Sequence, residues 1–415
     1  MTPASTVERI RGSEDAKSHG QSLSKPRGSG SHQSVDFAFR PAASETDLDG
    51  WADLMVDAFA APAERGREYV RLYPPGDGWI AVTGDPDSPG GERVVGGLGL
   101  CAAAQRWGGR DVPMDGVAAV CTAPDVRGQG ISSRLVAAGL QASRARGRPL
   151  SALYPASLAL YRKAGYEVAG AVYRMRLRLD ALPRVEGDDG IMIRPTTRAE
   201  LEAAALDKRP AQGNLSERGT FFWNRTFRPR DEPRALGLFA GQRMVGGLVV
   251  SRTPVDHGRH DLELKRWWAE DDRALRALLG LLRHQGSLGR YASWYGAPTD
   301  RLVMALPAEI WEVERVQPWM LRVVDLASAF ALRGFAAGLT SELDLGVDDP
   351  VCPWNTGRWH IAVSAGRAQV TRRAERPDGA AVAVDALGLA RLYAGVVPFQ
   401  SGLCAGPAAW LDEGF

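Results

Sequence analysis

The chain has 415 residues, 45% hydrophobic and 24% charged, with a formal net charge of +2. That length exceeds one compact core and predicts two or three domains. The near-neutral balance argues against a nucleic-acid platform, which carries a large basic excess, and no run of about 18 apolar residues offers a membrane span. Cys101, Cys121, Cys352 and Cys404 are scattered without metal-ligand spacing, and His257 and His260 lack a companion Cys or carboxylate pattern. With no apolar signal core at the start of the chain, a reduced, metal-free, cytoplasmic protein is expected.

Residues 1–35 are rich in Ser, Gly, Lys and Arg and cannot repay the entropy of ordering, so they read as a disordered segment. Phe37–Pro41 alternates as a strand. Ser44 with Glu45 and Asp47 offers a helix cap and an acidic first turn, and Trp51, Leu54, Met55, Ala58 and Phe59 follow at helical spacing. Trp79–Thr83 and Val94–Ala102 read as antiparallel strands flanking the turn-rich DPDSPGGE. Val117–Thr122 is an apolar, β-branched strand, and Val172–Leu179 closes the first domain (36–186). Ile191–Pro195 followed by Thr197–Glu200 repeats the grammar of Phe37–Asp47, and strands at Arg234–Phe239, Met244–Arg252 and Asp261–Trp268, a helix Asp272–His284 and a strand Arg301–Leu306 complete a degenerate copy (187–306). In the last domain (307–415), Met320–Val324 reads as a strand and Asp325 as a helix cap. Gly357–Ser364, Gln369–Arg373 and Val382–Val384 are short strands before a final helix, Ala386–Tyr393. The fold class is α/β (α+β).

The most informative stretch is Val117–Gly170. Its strand turns through Arg127-Gly128-Gln129-Gly130-Ile131-Ser132 into an amphipathic helix. Such a turn leaves backbone N–H groups unpaired at the positive end of a helix, a pocket suited to a diphosphate; a lone glycine-rich turn is weak evidence, since many bind nothing. A strand-like Leu150–Leu153 follows, then LYRKAGYE, which places Tyr161 on a short helix ending at Gly165. The second copy has no Arg-x-x-Gly-x-Gly turn and is expected to bind no such diphosphate.

The order strand, Arg-x-x-Gly-x-small, helix, strand, Leu-Tyr-x-x-x-Gly-Tyr resembles the acetyl-CoA site of the GNAT acyltransferases. With TAPDVRGQGISSRL, LYRKAGYE, PWMLRVVDLASAFALRGF and the terminal Phe415 in one chain, the sequence resembles the enhanced intracellular survival (Eis) acetyltransferases. The resemblance covers nearly everything after residue 36. It implies tandem GNAT folds, the second degenerate, and a sterol-carrier-protein-like C-terminal domain. It also implies acetyl transfer from acetyl-CoA to the primary amine of a small molecule, and a homohexamer. The cofactor-binding set it implies is Val120, Cys121, Thr122, Arg127, Gly128, Gln129, Gly130, Ile131, Ser132 and Ser157, with the hydroxyl of Ser132 as an added donor. Tyr161 would be the general acid and the Phe415 carboxylate the base or amine-orienting group. Phe59, Tyr69 and Glu413 would face the acceptor.

Amide formation from a thioester needs a polarised carbonyl, a neutral amine and a proton for the departing thiolate. A splayed strand supplies the first through a backbone N–H near Val120 or Cys121. A phenol of pKa about 10 matches a thiolate of roughly 8.5–10. Blander roles exist: Tyr161 as a core aromatic, Arg127, Asp412 and Glu413 as solvated charges, the terminus as a frayed tail. Ala58–Pro62 lacks the acidic residue that the resembled family uses for polyamines, which favours a mono-amine metabolite, natural-product or peptide amine. A CoA- or lipid-binding module without turnover, and transfer of a longer acyl chain, remain as alternatives.

Overall fold

The computed structural model describes residues 36–84, 91–184, 190–205, 215–217, 219–374 and 382–395. The expectations for residues 1–35, Cys404, Glu413 and Phe415 lie outside them. The first part of the chain runs β1 (Phe37–Pro41), α1 (Glu45–Phe59), α2 (Ala63–Val70), β2 (Gly78–Thr83), β3 (Arg93–Trp107), β4 (Arg110–Thr122), α3 (Ile131–Ala145), β5 (Leu150–Leu153), α4 (Leu158–Lys163) and β6 (Glu167–Arg178). The second runs β7 (Ile191–Pro195), α5 (Arg198–Ala205), β8 (Leu215–Ser216), α6 (Thr220–Thr226), β9 (Arg234–Ala240), β10 (Arg243–Pro254), β11 (His260–Ala269), α7 (Asp272–His284), β12 (Gly289–Gly296), α8 (Arg301–Met304) and β13 (Trp311–Val323). The third comprises α9 (Leu326–Leu332), β14 (Ser341–Asp348), β15 (Gly357–Ser364), β16 (Arg367–Arg373), β17 (Val382–Asp385) and α10 (Ala386–Ala394).

One large sheet has the order β1-β2-β3-β4-β5-β13-β6-β12-β11-β10-β9-β7, with β8 on β3; a second sheet has the order β16-β15-β14-β17. The large sheet is palindromic. From each edge inward, antiparallel strands lead to one parallel pair, β4/β5 or β11/β12, bridged by a crossover helix, α3 or α7. Two copies of one unit therefore stand side by side. Their last strands are exchanged: β6 of the first copy pairs with β12 of the second, and β13 of the second pairs with β5 of the first. Trp311–Val323, which the sequence reading assigns to the C-terminal domain, is thus a strand of the large sheet.

Local chemistry explains the repeat. The Ser44 hydroxyl accepts from the Asp47 N–H while the Asp47 carboxylate accepts from the Ser44 N–H, a reciprocal cap that starts α1. In the second copy the Glu200 N–H donates to the Thr197 hydroxyl and the Glu200 carboxylate accepts from the Thr197 N–H. The expected strand at Arg301–Leu306 is instead the helix α8, entered through Asp300 and burying Leu302 and Val303, and the strand parallel to β11 is β12. A short apolar run such as RLVMAL fits either period; the aromatic residues of RYASWYG are the better strand formers.

The third part packs α9 and α10 with the small sheet onto the large one through Trp107, Val112, Leu321, Val323, Phe330, Leu345, Ile361, Leu389 and Tyr393. A fully buried ion pair joins the layers: Arg322 on β13 donates to both oxygens of Asp349, at 2.5 and 2.7 Å. Asp349 also accepts from the Cys352 N–H and the Asn355 amide, so its lone pairs are satisfied.

Candidate active site

The site is built where β4 leaves β5. The parallel pairing runs from Met114↔Leu150 to Val117↔Leu153 and stops there, so Ala118–Thr122 has an unpaired edge toward β5. On the other edge β3 matches Gly97 to Cys121 and Gly99 to Ala118, leaving Leu98 opposite two residues, Ala119 and Val120. This bulge holds Ala119 at φ +55°, a left-handed conformation that alanine rarely adopts. The indole N–H of Trp51, fully buried on α1, donates to the Ala119 carbonyl at 3.2 Å and fixes it. Gly97 is required here, because a Cβ would overlap the Trp51 ring. The bulge breaks the ladder at Val120, where an N–H for a thioester carbonyl is expected. Cys121 is buried and its thiol is pushed up to about 12 by that burial, so it offers backbone rather than thiolate chemistry.

From Thr122 the chain passes Ala123, whose N–H bonds to the Val95 carbonyl, and a turn anchored by buried Val126. Gly128 and Gly130 take φ +85° and +77° with open space where side chains would be. Among the described residues the N–H groups of Gly128, Gln129 and Gly130 donate to no protein acceptor, and α3 begins without a side-chain cap. The arrangement suits a diphosphate. Arg127 is exposed, and Ile131 is buried as the anchor of the helix. The hydroxyls of Ser132 and Thr122 lie 2.7 Å apart and share one hydrogen bond in which either can donate.

Tyr161 lies on α4, 6% exposed, its ring edge-on to Tyr166 at 5.9 Å. Burial raises its pKa above 10, so the phenol stays protonated at neutral pH. Among the described residues its hydroxyl has no hydrogen-bond partner. Ser157 caps α4, accepting from the Leu160 N–H, which gives it a structural role in holding that helix. Glu167 accepts from Arg162 on α4 and Arg391 on α10; burial works to raise its pKa, yet these partners and the Val168 N–H hold it at about 2.

The two sheet faces differ. Leu98, Leu100, Val117, Ile131, Leu135, Leu153 and Tyr161 pack on the α3/α4 face, whereas Trp51, Tyr73, Cys101, Ala119, Cys121, Phe221 and Phe222 pack under α1, α2 and α6. Tyr69 is half-buried on the second face, edge-on to Tyr73 at 6.0 Å and Phe221 at 5.9 Å. Phe59 ends α1 with 52% of its surface exposed and joins no ring contact among the described residues. The sequence reading passed over α6 and its neighbours entirely. Tyr154, the residue after β5, is 47% exposed, and burial of its phenol, then Glu217, pushes its pKa up to about 12. Arg225 on α6 lies within electrostatic reach of it. The aromatic and basic run TFFWNRTFRPR was the signal.

An acetyltransferase (GNAT) domain matches residues 39–169 and a sterol carrier protein domain matches residues 326–403. An uncharacterized N-acetyltransferase from Streptomyces avermitilis is 25% identical over 89% of this chain and 93% of its own. Residues 39–169 thus form a GNAT acetyltransferase domain, and the chain is an acyltransferase with an Eis-like fold. A GCN5-related N-acetyltransferase from Anabaena variabilis superposes with TM-score 0.76 at 24% identity, over 87% of this chain and 91% of that one. Eis1 from Mycobacterium abscessus does so with TM-score 0.65 at 22%, over 86% and 90%. GNAT acetyltransferases in general use acetyl-CoA as co-substrate and small-molecule amines as acceptors. Among the described residues no cluster of metal ligands occurs, and no helix is long and apolar enough to cross a membrane.

Proposed function

We propose that the enzyme transfers acetyl from acetyl-CoA directly to the primary amine of a small molecule at the β4–β5 gap. The observation that carries this reading is the convergence of the bulge at Ala119–Val120, the uncapped turn Arg127–Ser132 and buried Tyr161 around one opening. The turn holds the diphosphate, and the free edge Ala118–Thr122 pairs with the pantetheine arm as an added strand. The amine nitrogen attacks the thioester carbonyl while the Val120 N–H receives the developing oxyanion. The carbon–sulfur bond breaks, and the Tyr161 hydroxyl gives its proton to the sulfur. The nitrogen's proton leaves toward water, guided by the Phe415 carboxylate, and the phenolate recovers a proton from solvent. Phe59 and Glu413 complete the acceptor side with Tyr69. The assembly is a cytoplasmic homohexamer, which light scattering would report as about six chain masses.

Thiol release from acetyl-CoA with a panel of amines tests the reading. Tyr161→Phe should lower kcat on the order of a hundredfold, the scale of general acid catalysis, with CoA affinity kept. One glycine appended after Phe415 should block turnover and leave CoA binding intact. No thiol release by the wild-type protein with any amine, together with no CoA-induced thermal shift, would sink it.

A further inference from the structure

Among the described residues, the acceptor face holds more guanidinium than carboxylate charge. Arg225 sits on α6, a helix clamped in place by three contacts. Gly219, just before it, lies so close to the Ala102 carbonyl of β3 that a Cβ would collide. Phe221 stacks on Tyr73 at 4.5 Å, and Trp223 packs with Leu201 and Val249 of the second copy. The helix therefore holds Arg225 rigidly over the first copy's site, exposed to solvent yet within electrostatic reach of Glu217, Tyr69, Cys101 and Tyr154.

Arg266 reaches the same place from β11. Its guanidinium lies 4.1 Å over the Trp223 ring, donates to the Glu217 backbone carbonyl at 2.9 Å and stands 3.8 Å from the Glu217 carboxylate. Its Nε is buried without a partner. Burial, and to a lesser degree Arg225, lower its pKa, so the two guanidiniums feel each other. Among the described residues no carboxylate lies within ion-pair distance of Arg225. Glu202 also lies within electrostatic reach of Arg266 but is itself paired with Arg198 at 2.5 Å, so among the described residues Arg225 and Arg266 share Glu217, an excess of one positive charge in a partly desolvated place, where a counter-anion is favoured.

The place is next to the reaction. Since Val117 pairs with Leu153 in parallel, Tyr154 falls beside Ala118, one residue before the bulge that presents the Val120 N–H. We propose that Arg225 and Arg266 receive the carboxylate of the acceptor, making the preferred substrates amines that carry a carboxylate, such as amino acids, rather than polyamines. This rests on the acyl-transfer reading above. A single excess charge matches a carboxylate better than a phosphate dianion, and guanidinium geometry binds carboxylate through paired N–H donors.

The test compares amino acids with their decarboxylated amines by thiol release, using the full chain. The wild type should favour the carboxylate-bearing member by more than about tenfold in kcat/KM, one charge-assisted contact being worth that much. Arg225→Gln should abolish the preference through KM, Arg225→Lys should restore part of it, and turnover of the decarboxylated amine should stay within about threefold. A wild type that prefers the decarboxylated amine would overturn the proposal. So would an equal loss on both classes, as expected if the guanidinium instead holds the chain's own terminal carboxylate. Calorimetric titration with N-acetyl amino acids and their amides separates this from the transfer reading. If no amine is acetylated but the acids bind and the amides do not, the anion site stands and the transfer reading falls; if amines are acetylated and the acids do not bind, the reverse holds.

Discussion

Between β4 and α3 the chain passes through Ala123–Gly130, two left-handed glycines among them, and the helix starts without a side-chain cap. Between β11 and α7 it passes through Glu270 and Asp271 alone. Both turns leave the sheet identically: the Ala123 N–H bonds to the Val95 carbonyl and the Glu270 N–H to the Val245 carbonyl, each at 2.8 Å. They then diverge. The Asp271 carboxylate accepts from the Ala274 N–H at 2.8 Å and Asp272 adds a second charge, so the second helix supplies its own anion where the first leaves room for a diphosphate. The two copies share the sheet and the crossover and differ in a few residues at one helix end, the residues that in the proposed reading decide which copy holds CoA. The second copy instead contributes α6, which packs on Tyr73 and β3 of the first copy, and Arg266, whose guanidinium lies over Trp223 of that helix.

The largest effect follows from closing the open turn. Gly130→Val places a β-branched side chain at φ +77°, where an L-residue strains by about 1–2 kcal/mol and a side chain projects into the space next to the N–H groups. CoA affinity should fall by about a hundredfold, close to 2.7 kcal/mol, with the melting temperature lowered by only about 2–4 °C. Retained affinity by calorimetry would mean the diphosphate lies elsewhere.

A smaller effect separates the two repeated helix caps in acid. Arg40, bonded to Asp47 at 2.7 Å, holds its carboxylate at about 2. The folded group takes its proton near pH 2 and the unfolded one near 4, so its stabilisation is complete above about pH 4 and drains as pH falls toward 2. Discounted for solvent screening, the loss is about 1–2 kcal/mol. Glu200, the counterpart, is also lowered, chiefly by the Thr196 hydroxyl, but it is exposed and should contribute little. Amide exchange at pH 5 and pH 3 should show α1 losing protection well ahead of α5. Equal losses would remove the distinction.

Much of this was legible in the residues. The turn at Arg127–Ser132, the helix of Tyr161 and the repeated Arg-Pro-cap grammar follow from local rules that short segments obey. What stayed hidden is non-local. Strand exchange between β6 and β13 has no periodicity, and the pairing of Trp51 with Ala119 spans 68 positions. Arg225 and Arg266 meet only because α6 leans from one copy onto the other. One missed signal was local after all: RVVGGL at 93–98 recurs as RMVGGL at 243–248, and it aligns β3 with β10. The alternating SELDLGVD of β14 was another, with Leu343, Leu345 and Val347 buried between acidic neighbours.

The smallest effect tests the closed turn. Asp271→Ala removes the cap of α7 and should cost about 1 kcal/mol, a fall of roughly 2 °C in melting temperature for a chain of this size. The N–H of Ala274 loses its acceptor, but no glycine pair opens beside it, and the chain still runs from strand to helix through two residues. CoA should therefore bind with the wild-type stoichiometry of one per chain. A second CoA bound by the Asp271→Ala protein would show that the carboxylate alone kept the site closed, and that loop length and left-handed glycines matter less than the charge at the helix end.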